Sequence, residues 1–148
     1  MLASILYLAY EVRRNTKMAQ RANHRALHEE IHSCLRPSIE SVEFAKLYVA
    51  AMEDLSGLDA RERYQFDIYM MSWLQTAEIV LLDYRAGLLE AETIVPYKAA
   101  IAAHLRRPGG GQWWSERRFW FTASGQKEFD KILNDSSIKP TNQPLNQL

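Results

Sequence analysis

The first quarter of this chain contains no residue that breaks a helix. Proline and glycine are absent from Leu2 to Leu35, alanine is frequent, and most other residues are good helix formers. This stretch predicts one long helix, which we expect to end before Pro37 because the residue preceding a proline is biased away from the α conformation. Since no segment of the chain shows sustained period-two alternation, the sequence predicts an all-α fold.

One face of this predicted helix is a narrow seam of apolar and small residues. The seam residues recur at alternating steps of three and four: Ile5, Leu8, Val12, Asn15, Ala19, Ala22 and Ala26. That spacing is typical of helices in close contact, and alanine allows a tight approach. We therefore expect a homo-oligomer that forms through the first helix, in which Asn15 either sets the register or lies in solvent.

Helical periodicity and helix breakers divide the middle of the chain. A second helix is predicted from Ser38 to Leu55, with Gly57 after it as a left-handed C′ residue. Its expected inward face consists of Ile39, Val42, Ala45, Val49 and Met52. Asp59 and Glu62 form a capping-box pattern for a third helix, which extends to residues 84–87. Because this helix is hydrophobic on most sides, it should be the central one.

A fourth helix is predicted from Thr93 to Arg107, where Pro96 is tolerable if it lies in the first turn. Pro108 and the three glycines at 109–111 should then break the chain and act as a linker. Beyond the linker, an amphipathic last helix is predicted from Thr122 to Leu133. The expected fold is an antiparallel bundle of four main helices plus one or two short aromatic C-terminal helices.

The segment between the glycines and the last helix is rich in aromatic and basic residues. It contains Trp113, Trp114, Arg117, Arg118, Phe119, Trp120 and Phe121. Such a segment could lie in a membrane interface, or it could pack onto the bundle with the arginines stacked over the rings. Packing is favoured, since Trp113, Trp120 and Phe121 share one helical face.

The length of 148 residues and the hydrophobic content of 47% suit a single core, and therefore one domain. The predicted organisation has three parts. A long N-terminal helix occupies residues 1–35 and is a candidate for the end of a membrane anchor. A helical bundle over residues 36–133 forms one domain with that helix, and a disordered tail over 134–148 is rich in Asn, Gln, Pro and Ser.

The segment from Met1 to Tyr10 has no charged side chain, and basic residues follow from Arg13 onward. It covers about half of a roughly 30 Å hydrocarbon core, so it is too short to cross a membrane by itself. The segment is either the apolar end of an amphipathic helix or the exit end of a span whose upstream half is missing. In the second case the Arg-rich flank predicts a domain on the cytoplasmic side.

Overall charge and cysteine usage exclude several classes of function. The chain has 18 basic and 18 acidic residues, and this zero net charge gives no field that would attract nucleic acid. Cys34 is the single cysteine, which excludes an intramolecular disulfide and a multi-cysteine metal cluster. This usage fits a reducing, cytoplasmic setting.

The residues from His28 to His32 have the H-E-x-x-H spacing of zinc hydrolases. Two histidines four residues apart share a helix face and could bind one zinc ion, with Glu29 as the general base and His24 one turn earlier. The third-ligand continuation of such enzymes is absent, and no strand precedes the motif. A solvated helix face is the favoured interpretation, so no cofactor is expected; zinc bound by His24, His28 and His32 is the alternative.

Glu78 lies among apolar residues of the predicted central helix. A carboxylate buried there needs a cation or several donors, because an unpaired buried charge costs several kcal/mol. The favoured interpretation is an ion pair or hydrogen bond with an arginine of the first helix. The alternative is a polar small-molecule pocket with Glu78, Gln75 and Thr76 as its ligand-binding residues.

The run from Ile5 to Thr16 resembles the opening of a widespread group of uncharacterised bacterial proteins. In that group a membrane-spanning segment leads into roughly L-x-Y-L-A-x-Q-[VI]-R-x-N-T. Later similarities are Glu78 before an apolar stretch, the run 87–89 followed by Glu92, and Gly-x-Trp-Trp at residues 111–114. The resemblance implies an N-terminal span and a helical cytoplasmic or periplasmic domain, and it implies no activity. This chain departs from the pattern at Glu11, where glutamine is usual, and it starts partway through the span.

These observations favour a non-enzymatic, membrane-tethered helical module for interaction or sensing. The expected location is the bacterial inner membrane with a cytoplasmic domain, or the cytoplasm if the chain is complete as given. Two alternatives remain: a small-molecule-binding domain with a polar pocket near Glu78, and a metal-dependent hydrolase that uses His28, Glu29 and His32.

Overall fold

The computed structural model describes residues 2–139; within the first helix, the side chains at 2, 3, 20, 21, 23, 24, 27, 28, 30, 31, 38 and 39 fall outside this description. The described residues form six α-helices and one short 3-10 helix, without a strand. The α-helices are α1 (Leu2–Glu40), α2 (Val42–Glu53), α3 (Ala60–Arg85), α4 (Ala91–Leu105), α5 (Pro108–Arg117) and α6 (Ala123–Asn134). The 3-10 helix is Arg118–Trp120. The predicted all-α bundle with aromatic C-terminal helices is confirmed.

The boundary between α1 and α2 lies at Ser41, so the prediction that the first helix ends before Pro37 was wrong. Pro37 is inside α1, where its missing N–H removes a single backbone hydrogen bond. Ser41 has extended backbone angles (φ −117°, ψ 114°), and its hydroxyl accepts a hydrogen bond from the amide of Phe44. The N-cap serine therefore separates the two helices more effectively than the proline does.

The inward face of α2 also differs from the prediction. Met52 is buried as predicted, but Val42 is 66% exposed, and the other buried positions are Leu47 and Ala51, which the prediction did not include. Val49 is likewise exposed. The buried face is set by α3 and α5, both of which contact α2, and it is displaced around the helix from the face predicted by periodicity alone.

The central helix α3 begins and ends as its sequence indicates. The side chain of Asp59 caps the first turn, and the Glu62 side chain returns a bond to the Asp59 amide, so the predicted capping box is confirmed. At the other end, the amide of Gly87 (φ 76°) donates to Tyr84, and that of Leu88 donates to Asp83. This pair of bonds is a Schellman motif. Among the described residues it is Gly87, and not Gly57, that has a left-handed backbone.

The glycine run is helical, so the predicted linker was wrong. Pro108 occupies the first turn of α5, where its fixed φ and missing N–H cost least, and the three glycines follow it within the same helix. A Cβ atom built on Gly109 would overlap the carbonyl oxygen of Ala51, and one on Gly110 would overlap that of His104. Glycine thus allows α5 to pack directly on the backbones of α2 and α4.

Pro96 lies farther into α4 than expected. The helix begins at Ala91, two residues before the predicted start at Thr93, which moves Pro96 out of the first turn. A proline at an interior position costs about 3 kcal/mol, through one lost backbone bond and crowding of the preceding turn, and the packing of α4 against α3, α5 and α6 offsets this cost.

The aromatic C-terminal segment packs onto the bundle, as predicted. Trp113, Trp114 and Phe121 are buried together with Phe129 of α6. The Arg118 guanidinium lies 5.6 Å from the centre of the Trp114 ring, and that of Arg117 lies 5.3 Å from the Trp120 ring. Stacking of cations on rings adds to the apolar burial of this end of the molecule.

Candidate functional site

Most of α1 projects from the bundle. The helix has 39 residues, which corresponds to about 58 Å at a rise of about 1.5 Å per residue. Every described side chain from Ser4 to Ser33 is exposed, apart from the intermediate Glu11. Cys34 and Leu35 are half-buried, and Leu35 packs against the hydrophobic core. The projecting part of α1, residues 4–33, is the largest exposed element among the described residues.

The far end of this projecting helix carries an apolar run. Its large apolar side chains are each 61% to 65% exposed: Ile5, Leu6, Tyr7, Leu8, Tyr10 and Val12. Single exposed apolar residues are common on protein surfaces, but contiguous apolar patches usually mark interaction sites. Exposed basic residues follow directly at Arg13, Arg14 and Lys17.

An open apolar groove lies where α1 joins the bundle. Its volume is about 490 Å³, and its lining is mostly apolar. The lining residues come from the end of α1 and from α2 and α3: Ser33, Cys34, Pro37, Phe44, Tyr64, Gln65, Ile68, Tyr69 and Ser72. The groove was not predicted from the sequence, although three of its lining residues, Tyr64, Ile68 and Ser72, follow one another at steps of four on α3.

Glu78 is buried, and its described partner is Thr122 rather than the predicted arginine of the first helix. Its Oε1 atom accepts hydrogen bonds from the Thr122 amide (3.0 Å) and hydroxyl (2.6 Å). The same hydroxyl accepts a bond from the Gly125 amide, as the N-cap of α6. The carboxylate therefore sits at a helix N-terminus, where the backbone dipole favours negative charge.

The structure does not bring the three predicted ligand-binding residues to one cavity. Gln75 is exposed, while Thr76 is buried and its hydroxyl donates to the carbonyl of Ser72. Gly125 lies so close to Glu78 that an added Cβ would overlap the carboxylate. Glu78 thus links α3 to α6, and none of the three residues lines the apolar groove.

The metal prediction depends on residues that are only partly described. The side chains of His24 and His28 lie outside the described residues, whereas Glu29 and His32 are exposed on α1. The remaining histidine, His104, is on α4 and not on α1. Within the part of the chain that the structure describes, no group of three His, Cys, Asp or Glu residues could hold a metal ion. The zinc site and the hydrolase activity remain predictions.

A buried carboxylate that sequence analysis did not single out is fully engaged in the fold. Asp67 of α3 accepts bonds from the Trp113 indole (2.8 Å) and from the Arg63 guanidinium (3.3 Å) on one oxygen. Its other oxygen accepts two bonds from Arg117, the shorter at 3.0 Å. Arg63 and Arg117 also pair with Glu116. This cluster joins α3 to α5 and leaves the carboxylate poorly suited to act as a catalytic base.

His104 lies in an aromatic cluster between α2, α3 and α4. Its ring centre is 6.0 Å from that of Tyr48 and 5.5 Å from that of Trp73. Its Nδ1 atom donates to the carbonyl of Ala100 at 2.7 Å. Burial of the ring lowers the pKa of His104 below its usual 6.5, despite the opposing effect of the Ala100 bond; the nearby charge of Arg107 acts in the same direction as burial.

This burial predicts a loss of stability in mild acid. Between the lowered pKa of His104 and its unfolded value of 6.5, the unfolded chain binds more protons than the folded chain. The free energy of unfolding should therefore fall as the pH drops below 6.5, by at most about 1.4 kcal/mol per pH unit. Urea titrations at pH 7.5 and 5.5 measure this change in the free energy of unfolding. His104→Gln should flatten this dependence, and an unchanged slope in that variant would assign the effect to other groups.

Comparison of the chain with known protein families, curated proteins and solved structures gives no match. Among the helices of residues 2–139, none combines the length and the hydrophobicity that a bilayer crossing requires.

Proposed function

We propose that this chain is a non-enzymatic interaction module whose binding element is the projecting part of α1. The observation that carries this proposal is the apolar run at the end of that helix, with large side chains 61% to 65% exposed. Full burial of a large apolar side chain contributes about 1.5–3 kcal/mol. A partner surface that covers several of these side chains would therefore gain enough free energy for specific binding.

The bundle supports a scaffold role more than a catalytic one. Its two buried carboxylates, Asp67 and Glu78, are each occupied by several hydrogen bonds that join helices. His104 is held between aromatic rings and bonded to a backbone carbonyl. These groups stabilise the base from which α1 projects, and a catalytic acid or base needs a position open to substrate.

Attachment to a membrane surface is the second candidate, and it is favoured by the order of residues along α1. The apolar run is followed at once by Arg13, Arg14 and Lys17, all exposed. Helices that lie in a membrane interface have the same order of residues. Their aromatic and aliphatic side chains enter the acyl boundary, and their cationic side chains lie at the headgroups. A tether of this kind would hold the bundle away from the lipid by the remaining length of α1.

One charge placed in the apolar run tests the proposal. Leu8→Glu should weaken self-association or vesicle binding at least tenfold, because the carboxylate would have to be desolvated in either complex. The control is Val95→Glu on α4, since Val95 is exposed to nearly the same extent (63%, against 61% for Leu8). Light scattering at tens of micromolar measures self-association, and cosedimentation with phosphatidylglycerol-containing vesicles measures attachment. Equal behaviour of the two variants would refute the role of α1.

A further inference from the structure

We infer that a second copy of this chain binds antiparallel along α1, with its Ile5 and Leu8 in the apolar groove beside Cys34. This inference rests on the proposed function and names the partner in it. Each chain has an uncovered apolar run at one end of α1 and an apolar groove at the other. In a two-fold arrangement both grooves are occupied by the same contact.

The groove and the seam lie on one face of α1. A helix turns by about 100° per residue, so positions spaced by three and four share a face. Pro37 and Ser33 line the groove. Toward the N-terminus the same face continues through position 30, a glutamate, and then through the whole seam: Ala26, Ala22, Ala19, Asn15, Val12, Leu8 and Ile5. All of these positions fall within about 60° of the direction of Pro37. The α1 helix of a second copy that packs along the seam therefore extends into the groove.

The length of α1 fits this pairing. If Ala19 of one copy lies opposite Ala22 of the other, antiparallel geometry places Leu8 opposite Ser33 and Ile5 beside Pro37. The overlap then extends for about 45 Å and ends at the groove. Alanine at the centre allows the close approach that this contact needs, and the large apolar side chains lie where the groove provides space for them.

The basic residues of α1 are compatible with this contact, whereas the register places Glu30 of one copy opposite Glu11 of the other, a like-charge contact that the apolar burial must offset. The described basic residues that follow the apolar run all lie more than about 100° away from the centre of the seam: Arg13, Arg14, Lys17 and Arg25. Pairing through the seam therefore leaves the basic side chains on the outer surfaces of the two helices. Across such a pair they are separated by more than the Debye length of about 8 Å at physiological ionic strength, so their repulsion is screened.

The single native cysteine provides a direct test. In Leu8→Cys, mild oxidation with copper phenanthroline should give an intermolecular disulfide between the introduced thiol and Cys34, because this register brings the two positions together. The wild type should give no such product, since its two Cys34 residues would lie at opposite ends of the overlap. Leu6→Cys is the matched control on the far side of α1. Peptide mass spectrometry identifies the linked residues.

A second pair of variants tests the groove. Ile68→Glu should weaken the dimer at least tenfold, because Ile68 lines the groove. Val49→Glu should leave it unchanged, since Val49 is exposed to nearly the same extent (38%, against 39%) on α2 and does not line the groove. Helical circular dichroism checks that both variants are folded, and light scattering measures their mass.

The outcomes separate this inference from the proposed function. A Leu8→Cys product linked to Cys34, with loss of the dimer in Ile68→Glu, supports both. If Leu8→Cys crosslinks in a Cys34→Ser background, the pairing is parallel; the antiparallel contact is then wrong while the interaction module stands. A monomer that binds vesicles overturns the inference in favour of the membrane candidate. A monomer that binds neither overturns both.

Discussion

Asp67→Ala is expected to lower the free energy of unfolding by about 3–5 kcal/mol, which is the usual cost of removing one partner from a buried charge cluster. Asp67 is only 8% exposed, and its carboxylate balances the charges of the Arg63 and Arg117 guanidinium groups. Without it, two cations and the Trp113 indole N–H would be left in a partly buried site between α3 and α5. Urea denaturation followed by tryptophan fluorescence gives the difference.

A similar but more exposed carboxylate, that of Asp130 on α6, provides the control. Asp130 also accepts bonds from an indole and a guanidinium, those of Trp114 (3.2 Å) and Arg118 (2.6 Å). Its side chain is 39% exposed, so water can hydrogen-bond to the groups that the substitution leaves unpaired. Asp130→Ala should therefore cost about 1 kcal/mol or less. Similar losses in the two variants would show that the Asp67 cluster does not hold α5 in place.

Gly109→Ala should be about as damaging, with an expected loss of about 3 kcal/mol or more. The added methyl group would overlap the carbonyl oxygen of Ala51 in the α2 backbone. A backbone atom cannot rotate away as a flexible side chain can, so α5 would have to move from α2. This displacement would disturb Trp113 and Trp114, which are buried by α5, and a changed near-ultraviolet circular dichroism spectrum should accompany the loss.

Gly111→Ala tests the same glycine run without the clash. Its added Cβ would meet the Leu105 carbonyl oxygen at 3.3 Å, which a small shift can accommodate. Alanine is also favoured over glycine in a helix by about 1 kcal/mol, so the net effect should be close to zero. Equal destabilisation by the two substitutions would mean that flexibility of the run, and not close packing, explains the glycines.

Several elements of the fold could be predicted because their signals are local. The capping box at Asp59 and Glu62 fixes the start of α3 through bonds within one turn. The start of α6 at Thr122 and the all-helical class follow from the same kind of short-range evidence. Packing of the aromatic segment was also predicted correctly, although the helical face on which the prediction was based does not form. The helix α5 ends at Arg117, Trp120 belongs to the 3-10 helix, and Phe121 has an extended backbone.

The errors arose where a residue's local preference was outweighed by packing. Pro37 and the glycines at 109–111 are helix breakers in isolation, yet both lie inside helices here. The glycines serve a close approach to α2 and α4 that no local signal reveals. Val42 fits an apolar periodicity, but the position of α5 turns another face of α2 inward.

The candidate site also has some features that the sequence predicts and others that only the structure reveals. The apolar run, the seam and the basic flank were evident from the sequence because they are periodic features of a single helix. The groove beside Cys34, the Thr122 partner of Glu78 and the Asp67 cluster each join residues that are far apart along the chain. The sequence by itself determined the helices and the character of their faces, since those depend on contacts within a few residues. Only the tertiary structure decided which faces meet and which carboxylates are paired, because these depend on how close-packed helices fit one another in space.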